Sequence, residues 1–166
     1  TVLAEFTDKT KEVMSEESAY VVLDLLKGVT TAGSGVRLRL KDHYYKNLIT
    51  GFPYEFTNPI AGKTGTTQNH TDGWFMGVVS NLATGVWTGG EDRATHFAKI
   101  AEGQGATMSL PTWAIYMRKL YADLRLNISQ EDFEAPEYVG IDINCGKKEK
   151  NKDKKKKEEP EDDTDF

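Results

Sequence analysis

Residues Pro59-Ile60-Ala61-Gly62-Lys63-Thr64-Gly65-Thr66-Thr67 decide how the rest of this chain is read. A short apolar approach leads into a lysine, three threonines and a flexible glycine, which is the equipment of a strand that receives an anion. Thr71-Asp72-Gly73-Trp74-Phe75-Met76-Gly77-Val78-Val79 follows, then the break Ser80-Asn81-Leu82-Ala83, then Thr84-Gly85-Val86-Trp87-Thr88-Gly89-Gly90. Together these segments predict three successive strands with tight connections.

Two other readings of the opening string are separable by spacing. A phosphate-binding P-loop requires G-x-x-x-x-G-K-[ST] opening a helix. Gly62, Lys63 and Thr64 fit its last three places, but residue 57, where the first glycine belongs, is threonine. Thr66, Thr67, Gln68, Asn69, Asp72 and Gly73 are also β and turn formers rather than helix formers. An ordinary edge strand, its lysine discouraging aggregation, accounts for Lys63-Thr64-Gly65-Thr66 taken alone. The neighbouring segments favour a functional strand.

Residues 59 to 93 closely resemble the third active-site motif and following strands of the transpeptidase domain of class A penicillin-binding proteins. The resemblance extends to Glu17-Ser18-Ala19-Tyr20 through Leu26-Lys27-Gly28-Val29, similar to the helix before that strand. It extends also to Gly103-Gln104-Gly105-Ala106 through Leu110-Pro111-Thr112-Trp113, similar to the lead into the closing helix, so that it covers residues 15 to 125. It implies an α+β fold, a partial penicillin-binding transpeptidase (serine β-lactamase-like) fold whose closing helix lies across a five-stranded antiparallel sheet, three strands of it from this chain. It implies acyl transfer from D-Ala-D-Ala stem peptides of peptidoglycan through a seryl acyl-enzyme, the same serine being trapped by β-lactams. By the same resemblance the Thr66 N–H is an oxyanion donor and Lys63 supplies positive charge. Thr64 and Thr66 hydroxyls bind the substrate carboxylate, and Gly65 lets the substrate backbone lie close.

The chain departs from the family in its serines, and in a stretch between Asp42 and Asn58 longer than the family's link into the motif strand. Its serines, Ser15, Ser18, Ser34, Ser80, Ser109 and Ser129, are followed three places on by Ser, Val, Arg, Ala, Thr and Asp, so none begins S-x-x-K. None is followed two places on by asparagine, and Tyr45-Lys46-Asn47 lies too near Lys63 to be the second motif, so Tyr45 is read as loop. The nucleophile is expected in an upstream part of the same domain. The resemblance places a membrane anchor and a glycosyltransferase domain there too, and the whole at the outer face of the bacterial cytoplasmic membrane. This chain alone is expected to be inactive. A serine D,D-carboxypeptidase or β-lactamase, in which water takes the acyl group, and a non-catalytic peptidoglycan-binding remnant are the alternatives.

Composition narrows the remaining classes. With 166 residues, 38% hydrophobic, the chain suffices for one modest core. No run of eighteen apolar residues marks a membrane segment, and the net charge of −5 gives no basic footprint for nucleic acid. His43, His70 and His96 are scattered without metal-ligand spacing, and Cys145 has no second cysteine to pair with. No metal and no cofactor are called for.

Outside the three strands, residues 1 to 14 read as an extended lead-in. Ser15 as N-cap, Glu16 and Glu17 in the first turn, and Ala19, Val22, Leu23 and Leu26 at helical spacing predict a helix with one buried face, ended by Gly28. Val36, Leu38 and Leu40 alternate with Arg37, Arg39 and Lys41, which predicts a short strand with a solvated cationic face. Tyr44, Tyr45, Phe52, Tyr54 and Phe56 predict an ordered loop packed by its own aromatics, the functional alternative being a substrate lip or partner contact. Trp74 and Trp87 are assigned to the core, and Asp72 either orients the connection of the motif strand or makes a simple Asx-turn before Trp74. Ser109 and Pro111 mark a helix start, with Trp113, Tyr116, Met117, Leu120 and Leu124 as its apolar stripe. Residues 1–145 are therefore expected to form the domain portion, and 146–166, lysines first and acids last, a disordered charged tail.

Overall fold

A computed structural model describes residues 11–44, 46–141 and 143. Tyr45, Cys145 and the charged tail, and with them the readings made of those residues, lie outside the described part. The fold is α+β. Three antiparallel strands, β1 (Ala61–Thr66), β2 (Asp72–Val79) and β3 (Leu82–Gly89), form a sheet in the order β1-β2-β3. The helices are α1 (Glu16–Thr31), the short α2 (Ile100–Gly103) and α3 (Gly105–Ala122).

Registers run from Ala61↔Val78 to Thr66↔Gly73 and from Asp72↔Gly89 to Val79↔Leu82. The β2–β3 connection is therefore the pair Ser80-Asn81, and Asn81 ties it to the chain beyond α3. Its amide donates to Asn127 O at 2.8 Å, and its oxygen accepts from Ser129 N–H at 2.9 Å.

Side-chain alternation puts Phe75 and Val79 on the α3 side of β2, where both are fully or almost fully buried. They meet Leu110, Trp113, Ala114 and Met117 of α3. Trp113 packs edge-on to Phe75 with centroids 5.0 Å apart and donates its indole N–H to Thr84 Oγ1 at 2.7 Å. The indole lies where Gly77 has no side chain: a Cβ there would sit 2.7 Å from Nε1 and closer to two ring carbons. Burying a side chain of this size contributes about 1.5–3 kcal/mol, and the hydrogen bond removes the penalty of a buried N–H.

Helix α1 starts where expected, with Ser15 Oγ accepting from Ser18 N–H at 3.3 Å. It does not stop at Gly28, and Val22 and Leu25 are exposed while Ala19, Leu23 and Leu26 are half-buried. A tertiary bond rewards the extra turn: the buried Thr30 donates its hydroxyl to Ile60 O at 2.5 Å.

Residues 36–38 form a 3-10 turn rather than a strand, and Arg37 is buried rather than solvated. Its Nη1 donates to Ala106 O at 2.9 Å and Thr107 Oγ1 at 2.7 Å, so the cation is spent on the first turn of α3. Arg39 donates to Phe56 O at 3.0 Å and Asn58 O at 2.7 Å; burial pushes its pKa down, with Tyr121 opposing.

Phe52, Tyr54 and Phe56 fill space beside α3, Phe52 and Tyr54 meeting edge-on with centroids 5.9 Å apart, and the Phe56 and Trp113 rings tilted at 59° with centroids 6.2 Å apart. Tyr44 is exposed. Finally, α3 starts at Gly105, not at Ser109 or Pro111. Leu110, Pro111, Trp113 and Met117 are buried on it, Leu120 is half-buried, and Tyr116 is exposed. Leu124, placed on the same stripe, lies beyond the helix and is exposed.

Candidate functional site

Among the described residues, strand β1 is paired on one side only, which leaves one edge open. The direction of its backbone groups follows from the turn beyond it. Thr67 N–H donates to Asp72 O at 3.1 Å, so Thr67 faces β2. Because antiparallel strands alternate between residues that bond across and residues that face away, Thr66 and Thr64 present their N–H and C=O groups to the open edge. The Lys63 ammonium, 2.7 Å from Thr64 O, reaches that carbonyl.

Side chains divide between the two faces of the sheet. Lys63 lies opposite Met76 and Gly65 opposite Trp74, on the face away from α3, and Lys63 is exposed there. Thr64 and Thr66, opposite Phe75 and Gly73, lie on the α3 side. Thr64 Oγ1 shares a 2.6 Å hydrogen bond with Ser34 Oγ, and Thr66 Oγ1 accepts from Gly105 N–H at 3.0 Å. The ammonium, two hydroxyls and two outward amides thus flank one stretch of edge, a cationic, donor-rich arrangement suited to a carboxylate or a developing oxyanion.

This segment is held from several directions. Arg39 fixes Asn58 and Thr30 fixes Ile60, immediately before the strand. At its far end Thr67 Oγ1 shares a 2.8 Å bond with Thr71 Oγ1 and accepts from Asp72 N–H at 3.2 Å. Asp72 acts in the turn mainly through its backbone.

Trp74 and Trp87 are not in the core. They are register partners on the face away from α3, 45% and 49% exposed, with Met76 beside them at 45%. Phe75, one residue along, takes the interior place. All four residues singled out in the sequence, Lys63, Thr64, Gly65 and Thr66, fall on β1. Ser34 and Gly105 were missed. The only hint of Gly105 was the Gly103-Gln104-Gly105 string before a helix, and nothing local pointed to Ser34. A cavity of about 330 Å³ lined by Thr71, Thr88, Phe97 and Met108 does not include these residues. Among the described residues no three His, Cys, Asp or Glu side chains gather as a metal site, and no helix is long and apolar enough to cross a membrane.

No protein-family model matches the chain. Individual relatives do. It is 29% identical over 147 residues to penicillin-binding protein 1A of Aquifex aeolicus, covering 86% of this chain and 17% of that protein. It is 31% identical over 136 residues to penicillin-binding protein 1A of Clostridium acetobutylicum, covering 81% of this chain and 14% of that protein. With penicillin-binding protein 1A of Pseudomonas aeruginosa the identity is 32% over 108 residues, 64% of this chain and 11% of that protein. The chain thus spans about one sixth or less of the length of these relatives. The fold, the motif strand and these matches agree: the chain belongs to the penicillin-binding protein 1A family.

Proposed function

We propose that this chain is a C-terminal portion of a peptidoglycan D,D-transpeptidase, supplying the strand against which the donor stem peptide lies while it acylates the serine and releases its terminal residue. The reacting serine lies outside residues 1–166. Peptidoglycan stem peptides are the substrates and β-lactams the inhibitors. One observation supports this reading above the rest: Thr64 and Thr66 aim their amides out of an open strand edge, with the Lys63 ammonium alongside.

The chemistry follows from that edge. A seryl oxygen adds to the terminal peptide carbonyl, whose oxygen becomes an anion, and the Thr66 N–H donates to it. Loss of one such donor slows acyl transfer by about 10²–10³-fold. Lys63 stabilises negative charge on the face away from α3, where the serine must approach, while the Thr64 and Thr66 hydroxyls bind the substrate's carboxylate. Gly65 keeps the edge low enough for the substrate to pair as an added strand.

The half-exposed Trp74, Met76 and Trp87 are covered, in this reading, by the upstream part of the same domain, and the site works at the outer face of the bacterial cytoplasmic membrane.

The test is acylation of the intact polypeptide by a fluorescent penicillin. Lys63→Ala is expected to slow it by about 100-fold or more, the scale of a lost transition-state contact; Lys154→Ala is expected to leave it unchanged. Equal rates for the two variants would refute the assignment.

A further inference from the structure

The Thr66 hydroxyl bonds to Gly105 N–H at 3.0 Å. An amide N–H only donates, so the Thr66 oxygen accepts and its own proton is turned elsewhere. Thr66 is exposed and lies beside the open edge, so that proton is free to turn toward a ligand there. The Thr64 hydroxyl differs: its partner is Ser34 Oγ, and either oxygen can donate.

The contact depends on the absence of side chains. A Cβ on Gly105 would lie 2.5 Å from Trp74 O and closer still to Gly65 O, and a Cβ on Gly73 would lie 2.9 Å from Gly105 Cα. Glycine at these positions lets the amino end of α3 seat directly on the β1–β2 pair. In return Thr66 satisfies an N–H that the helix cannot satisfy itself, for Gln104 makes no side-chain cap.

We propose that Gly105 is a positioning residue for carboxylate recognition: its N–H fixes the Thr66 hydroxyl as a donor toward the ligand. The inference rests on the proposed role of β1 as a carboxylate-receiving strand. Gly105 itself does not touch the ligand.

The test replaces the Gln104–Gly105 amide by an ester, with glycolate at position 105, in the intact polypeptide by semisynthesis. This removes the donor and adds no Cβ. Acylation by benzylpenicillin is compared with acylation by its methyl ester, which lacks the carboxylate. The expected result is an about 3- to 10-fold slower reaction with benzylpenicillin, the scale of one net hydrogen bond, and an unchanged rate with the methyl ester. An equal loss with both compounds, or no loss with either, overturns the proposal, because a merely structural role does not distinguish them.

Amide exchange at Gly105, read by mass spectrometry, tests the bond even if the ester-bearing polypeptide does not fold. Thr66→Val is expected to speed it by about 10-fold and Thr66→Ser to leave it near the parent value; unchanged exchange in Thr66→Val overturns the proposal. Failure of the parent polypeptide to react with either compound refutes the transpeptidase reading instead, whatever the exchange shows.

Discussion

Gly77 and Trp113 form a pair whose coupling can be measured. A methyl group at Gly77 would overlap the indole of Trp113, which is fully buried, edge-on to Phe75 at 5.0 Å and bonded to Thr84 at 2.7 Å. Gly77→Ala therefore overpacks the sheet–helix interface, and such strain costs about 1–3 kcal/mol. Trp113→Ala removes the indole and leaves a cavity, at a cost of about 3–5 kcal/mol. In the double variant the added methyl enters space the indole has vacated, so the second change costs close to nothing. The expected coupling is about 1–3 kcal/mol, well above the roughly 0.5 kcal/mol within which independent sites add. Hydrogen exchange of the α3 amides in the intact polypeptide reads local stability without requiring the whole protein to unfold in one step. Additivity of the two single changes would refute this account of the core.

Two further outcomes are expected. Burial pushes the Tyr54 hydroxyl up to about 12; the fold favours the neutral phenol, so its stabilisation is complete below pH about 10 and is lost as pH rises through the folded value. Tyr54→Phe should remove that alkaline decline, although it forfeits the bond to Thr50 O, and a decline of the same size in Tyr54→Phe would contradict the assignment. Acrylamide should quench Trp74 and Trp87 fluorescence in the isolated chain but not in the intact polypeptide, with Trp113 protected in both; equal quenching of Trp74 and Trp87 in the two would show that nothing covers that face.

Legibility in the sequence followed the range of the interaction that decides each element. The three strands were visible because alternation, the break after Val79 and the turn formers between Thr67 and Asp72 are local signals, although the break expected over Ser80-Asn81-Leu82-Ala83 narrows to Ser80-Asn81, Leu82 and Ala83 being paired in β3. The Ser15 cap bonds three residues away and was equally plain. Arg37 and Arg39 were misread because their partners, Ala106, Thr107, Phe56 and Asn58, are distant in sequence, and alternation with Val36, Leu38 and Leu40 imitates a strand. The start of α3 was set too late because its first N–H is capped by Thr66, 39 residues earlier. Trp74 and Trp87 show another limit: residue type states that an aromatic ring wants burial, whereas strand parity decides which face it takes. The site itself was legible at its centre, Lys63 to Thr66, and illegible at its supports, Ser34 and Gly105.

The central claim is that this edge assists a serine carried outside residues 1–166. Mapping the penicilloyl adduct of the intact polypeptide by peptide mass spectrometry tests it most directly. The account predicts a single labelled serine outside these residues, with labelling strongly slowed by Lys63→Ala. A label on Ser15, Ser18, Ser34, Ser80, Ser109 or Ser129, or labelling indifferent to Lys63, would contradict it.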